Sequence, residues 1–187
     1  MLKKNFDLKT TLIALNKPKG VICSHNDDKN RKVIYELIPK KSLRVIEGKL
    51  HSVGRLDYNS QGLILLTNNT EIKKHLESPS NKFLRVYKVK VQGEIKKELL
   101  TKIRAGVIIN KITYKVKSIK IIKVNKSYAW LLIKLTEGKN QHIRKVFSKF
   151  GLSVNKLIRI QYGPFKLSSL KSGSIRFLKP FIIKNRK

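Results

Sequence analysis

Apolar residues in this chain come in short blocks that each end at a turn signal, which leaves little room for a fold other than a sheet. "TLIALN" (11–16) stops at Lys17-Pro18-Lys19-Gly20, and "LILLT" (63–67) stops at Asn68-Asn69. "RVYKVKVQG" (85–93) alternates, setting Tyr87, Val89 and Val91 on one face and Val86, Lys88 and Lys90 on the other. "TYKVKSIKII" (113–122), "YAWLLIKL" (128–135), "NKLIRIQYG" (155–163) and "SIRFL" (174–178) read as further strands. Three segments carry helical spacing instead. "TEIKKHLE" follows the capping pair Asn68-Asn69 and stops before Pro79; "EIKKELLTKIRAG" (94–106) is closed by Gly106; "NQHIRKVFSKFG" (140–151) spaces Ile143, Val146, Phe147 and Phe150 and ends at Gly151. Strands and helices do not alternate regularly, so the fold class is α+β, a mixed and mostly antiparallel central sheet with flanking helices. With no internal repeat and no long linker, residues 1–187 are expected to form a single domain. A hinge-like "ESPSNKFL" (77–84) would divide it into lobes of about 1–80 and 81–187.

Composition narrows the partner. The chain carries 43 Lys and Arg against 11 Asp and Glu, a net charge of +32. Such a surface calls for a polyanion, because each cation laid on a phosphate releases condensed counterions. Heavy use of Lys, Ile and Asn is also what an AT-rich genome favours, which accounts for part of the charge. Nucleic acid ranks first as partner. A membrane surface ranks below it, for no segment reads as an amphipathic helix with a broad apolar face, and no apolar run approaches the roughly 18 residues of a span. The start lacks the apolar core of a secretory signal, and the single Cys23 excludes an intrachain disulfide framework. A reducing, cytoplasmic setting is expected.

Elimination leaves one candidate for chemistry. His25, His51, His75 and His142 are scattered, and no Cys or His pair has metal-ligand spacing, so no metal is expected. The chain has neither a G-x-S-x-G elbow nor a phosphate-binding G-x-x-x-x-G-K-[ST] loop. A two-carboxylate site would need Asp27 or Asp28 beside Asp57, and nothing in the sequence brings them there. Asp57 itself follows Arg55 in "GRLD", between Gly54 and Gly62. Two readings stand: a surface salt bridge, the commoner outcome for such a turn, or a nucleophile whose charged form an adjacent cation favours.

Read in order, "LNKPKG" (15–20), "GRLDYNSQGLILLTNN" (54–69), "RVYKV" (85–89), "EGKNQHIRKVFSKFG" (137–151) and "LIRIQYG" (157–163) resemble the pseudouridine synthases of the RsuA/RluB/RluE/RluF branch, from about Leu15 to Phe177. The resemblance implies a catalytic fold with a central cleft. It makes Asp57 the catalytic residue, Tyr87 a wall of the uridine pocket, Arg144 the partner of the aspartate and Leu157 the packing beneath the pocket. Arg55 either supports Asp57 or faces RNA phosphates. Lys17, Lys19, Lys139, Lys145 and Arg159 are candidate RNA contacts. Without the resemblance, Tyr87 would be a core tyrosine with a satisfied hydroxyl, Arg144 a solvated rim charge and Leu157 ordinary core. Lys139 stands where the family has an arginine, and Lys145 where a second arginine often follows Arg144; both keep the charge and lose the planar fork.

The implied reaction isomerises a uridine of ribosomal RNA to pseudouridine without cofactor or metal, on a base flipped out of its helix. The chain is expected to act as a monomer and to lack the small N-terminal RNA-binding module of many members, its basic surface serving instead. Burial alone would favour a neutral Asp57, so a buried Asp57–Arg144 ion pair is expected across the cleft. The rival reading is a non-catalytic RNA-binding or ribosome-assembly protein with the same fold, which has no use for Asp57 and Arg144 together. An RNA-cleaving enzyme is a weaker third.

Overall fold

The computed structural model describes residues 10–179; the outermost residues of the expected 1–187 domain lie outside the described residues. The elements run in the order β1 (Leu12–Lys17), α1 (Lys40–Leu43), β2 (His51–Val53), β3 (Gln61–Thr67), α2 (Thr70–Glu77), β4 (Arg85–Gln92), α3 (Lys97–Ala105), β5 (Val107–Ile109) and β6 (Ile112–Tyr114). They continue with β7 (Ser118–Val124), β8 (Tyr128–Leu135), α4 (His142–Ser148), β9 (Ser153–Tyr162), β10 (Phe165–Lys166) and β11 (Ile175–Leu178). One nine-stranded sheet has the order β11-β1-β3-β9-β4-β8-β7, with β2 also on β3 and β10 on β9. Its described pairings are antiparallel except β3 with β9. The expected α+β class, with a mixed and mostly antiparallel sheet, is what forms.

Alternation along the strands decides the two faces. On the front, Ile13, Leu15, Ile64, Leu66, Val89 and Leu131 pack against Leu100 and Ile103 of α3 and against Ile143, Val146 and Phe147 of α4. On the back, Leu12, Ala14, Leu63 and Leu65 are covered by Ile72 and Leu76 of α2 and by Tyr162. Asn69 caps α2 as its sequence suggests, its side chain accepting from the N–H groups of Glu71 and Ile72 at 3.0 Å each.

The fold differs from the sequence reading at three places. The segment 113–122 is not one strand: β6 turns back on β5 as a separate two-stranded ribbon, and β7 begins only at Ser118. Left-handed Asn110 and Lys111 make that ribbon's turn, and neither is a glycine that would announce it. The helix read from 94 starts at Lys97, whose N-cap Lys96 offers no capping side chain. The short α1 buries no residue, so no apolar period marks it.

The feature that makes room for a site is the contact between β3 and β9. These strands pair only at Gln61 with Ile158 and Gly62 with Arg159, then part. Gly62 has φ +102, and a Cβ there would lie 2.3 Å from the Arg159 carbonyl oxygen, so the close approach requires glycine. Past this point the Arg159 side chain spans the parting: its Nε donates to the Leu63 carbonyl at 2.7 Å, satisfying a group without a strand neighbour on that side.

Candidate active site

The loop carrying Asp57 is fastened on both sides of the aspartate through its own backbone. Gly54 N–H donates to Glu77 Oε1 at 2.7 Å, and the Cys23 thiol meets both backbone groups of Leu56 at 3.4 Å. The Tyr58 carbonyl accepts from Gly20 N–H at 2.9 Å. The Asn59 carbonyl accepts from Arg144 Nη2 at 3.0 Å, and the Ser60 carbonyl from Lys17 Nζ at 2.9 Å. Ser60 N–H closes the turn on the Asp57 carbonyl at 2.9 Å. The Asp57 side chain itself takes part in none of these contacts.

Asp57 lines a cleft of about 1030 Å³ over the β3–β9 parting. Two other carboxylates reach the cleft and both are engaged: Glu77 also holds Lys73 at 2.7 Å, and Glu137 pairs with Lys139. The Asp57 carboxylate has no hydrogen bond and no ion pair among the described residues. One charge that it influences is Lys17, fully buried, with Nζ also donating to the Pro18 carbonyl at 3.0 Å. Burial lowers the pKa of Lys17, and the negative charge of Asp57 is among the influences opposing that shift. Burial raises the Cys23 thiol, against the pull of its Leu56 hydrogen bond and of Lys17, Arg159 and Arg55.

Tyr87 and Leu157 line the same cleft as Asp57. Tyr87 sits in the front-face core and lines the cleft, and its hydroxyl has no hydrogen-bond partner among the described residues, unlike a satisfied core tyrosine. Leu157 is both core and cleft lining, opposite Val89 on the neighbouring strand. Arg55 stands exposed at the rim. Lys19 is exposed away from the cleft lining, and Lys145 is half-buried on α4. Lys139 reaches the rim with its ammonium shared between Glu137 and the Thr113 carbonyl, 2.7 Å away.

Three expectations are corrected. The Asp57–Arg144 ion pair does not form: Arg144 donates instead to the carbonyls of Val154, at 2.8 Å, and Asn59, tying β9 to the Asp57 loop. Lys17 is not a surface RNA contact, because its strand position points inward and its cross-strand partner Gly62 has no side chain to fill that space. Arg159 is 2 % exposed and likewise cannot meet RNA on an outer surface; its guanidinium lies over the Tyr162 ring at 5.0 Å. Sequence reasoning passed over His142, which also lines the cleft. Its imidazole is buried edge-on to Tyr114, centroids 5.0 Å apart, with neither nitrogen hydrogen-bonded, and burial lowers its pKa to about 4. Among the described residues no group of three or more His, Cys, Asp or Glu could hold a metal ion, and no helix is long and apolar enough to cross a membrane.

Comparison with known proteins gives one answer from three directions. The RNA pseudouridylate synthase family matches residues 11–149. A Rickettsia felis protein named "Uncharacterized RNA pseudouridine synthase" is 44% identical over 173 residues, 92% of this chain and 72% of its own length. Ribosomal large subunit pseudouridine synthase B of Buchnera aphidicola subsp. Acyrthosiphon pisum is 38% identical over 173 residues, covering 91% of this chain and 68% of that protein. A solved structure described as pseudouridylate synthase superposes with a TM-score of 0.77 at 26% identity, over 91% of this chain and 70% of that one.

Proposed function

The chain belongs to the RNA pseudouridylate synthase family, and from that premise we propose that it converts a uridine of ribosomal RNA to pseudouridine with Asp57 as the catalytic carboxylate. The reaction breaks the N1–C1′ bond and joins C1′ to C5; C5 gives up its hydrogen to water and N1 takes a proton. Atoms and electrons balance within one nucleotide, so the step calls for no redox cofactor. A uridine stacked in a helix must first be flipped out, at a cost of a few kcal/mol. In the cleft its base would lie against Tyr87 and over Leu157, with C1′ and C2′ facing Asp57. Attack at C1′ and proton removal at C2′ both use the same carboxylate.

The observation that carries this reading is the contrast around Asp57: the backbone on both sides is tied to fixed partners while the carboxylate has none. A structural salt bridge, the ordinary use of such a turn, would show the reverse. Holding a reacting group in place beforehand removes ordering cost from the barrier. The chain's partner is then ribosomal RNA in the cytoplasm, met by a monomer. The lobes of about 1–80 and 81–187 would meet where β3 and β9 part, with β11 from the far end of the sequence joining the first lobe.

Naming ribosomal RNA as substrate draws on the Buchnera relative's name. Mapping pseudouridines in ribosomal RNA from cells with and without this protein tests it. One or more sites should revert to uridine in its absence; an unchanged ribosomal map with a loss in another RNA class would reassign the substrate.

A further inference from the structure

The back of the sheet at β4, β7, β8 and β9 is lined by lysines and carries no acidic residue. None of the 11 Asp and Glu residues lies on β4, β7, β8 or β9. Their six lysines, Lys88, Lys90, Lys120, Lys123, Lys134 and Lys156, fall on one face: the register sets Lys88 beside Leu132 and Ile158, Lys90 beside Trp130 and Lys156, and Lys120 beside Leu132. α2 covers this face only at the β1 and β3 end. Trp130 and Leu132 belong to neither buried cluster and stay half-exposed.

Two details separate this face from an ordinary solvated one. Lys90 and Lys156 stand directly opposite each other on adjacent strands, an arrangement that costs stability when no anion lies over it. Aromatic rings are set among the cations: Lys88 Nζ is 5.0 Å from the Trp130 ring centroid, and Lys90 Nζ is 4.1 Å from that of Tyr128. Flat rings for bases and ammonium groups for phosphates are what a single strand of nucleic acid needs, without a base-specific contact.

We propose that this face is a second RNA-binding surface, on the opposite side of the sheet from the catalytic cleft, which holds single-stranded RNA by stacking a base on Trp130 while Lys90 and Lys156 neutralise backbone phosphates. A base on the indole displaces the Lys88 ammonium, which then also turns to phosphate. The face would anchor an RNA segment outside the reacting nucleotide. This rests on the reading that the chain works on RNA, but not on Asp57 being catalytic.

Trp130 is the chain's single tryptophan, so its fluorescence reports this face alone. The full chain carrying Asp57→Asn, which removes turnover from the measurement, is titrated with a single-stranded oligouridylate of about 20 nucleotides, binding being followed in parallel by anisotropy of a label on the RNA. Saturable quenching that tracks the anisotropy is expected. Lys90→Gln with Lys156→Gln should weaken binding by roughly tenfold and take about 1.4 from the slope of log K against log salt, two contacts at ~0.7 each. Unchanged fluorescence at saturating RNA overturns the proposal, because the RNA is then held elsewhere. So does a fluorescence change that follows protein concentration without RNA, which would make the face a contact between copies. A parent chain that fails to isomerise uridine while quenching persists would defeat the catalytic reading and leave this surface standing.

Discussion

Lys17 shows how far a residue's surroundings can depart from its type. A lysine closing an apolar strand ordinarily bends its ammonium to water. Here Gly62 opposite leaves space, and the ammonium instead holds the carbonyls of Pro18 and of Ser60, the latter three residues from Asp57. Lys17→Met keeps the aliphatic volume and strands those carbonyls, so it should cost about 2 kcal/mol. That is a fall of roughly 6 °C in Tm by calorimetry, with a larger loss of turnover than of RNA affinity because the Asp57 loop slackens. His142 gives a pH signature. Its folded pKa of about 4 lies below the ordinary 6.5, so between those values the unfolded chain binds a proton that the folded chain refuses. The stability it permits is full above about pH 6.5 and falls as the pH drops toward 4. Urea midpoints should show about 2 kcal/mol lost from pH 7 to pH 5 through this group. His142→Phe should flatten that part of the fall; an equally steep fall in the variant would place the acid sensitivity elsewhere.

At the scale of elements, the parting of β3 from β9 is the device that turns a closed sheet into one with a cleft. Gly62→Ala would drive a Cβ into the Arg159 backbone at 2.3 Å in a left-handed conformation, and backbone cannot swing aside as a side chain can. The variant should lose several kcal/mol or fail to fold, read by the urea midpoint; a midpoint near the parent's would mean that the strands separate without consequence. Most of the sheet was legible because alternation in β4 and β8 is a local property that burial simply exposes. The hairpin of β5 and β6 was not, since Asn110 and Lys111 take left-handed turns that other residues more often mark. That Asp57, Tyr87 and Leu157 share one cleft was legible through motif order. What Arg144 does could not, because its two acceptors are main-chain carbonyls on separate elements, and a carbonyl has no letter in the sequence.

Over the whole molecule, the charge of +32 divides into kinds that composition alone merges. Lys17 is buried against the Asp57 loop, Arg159 is buried in the cleft lining and Arg144 clamps backbone, while the lysines behind β4 and β8 face outward. The account stands or falls on the one cleft carboxylate left without a partner. Asp57→Asn is nearly isosteric and breaks no hydrogen bond, so the variant should fold with a Tm close to the parent's and bind RNA as well. The decisive measurement is single-turnover release of tritium from C5 of uridine in ribosomal RNA, comparing the parent with Asp57→Asn at matched saturation. The account predicts release by the parent and none above background by the variant; release by the variant at a rate near the parent's would contradict it.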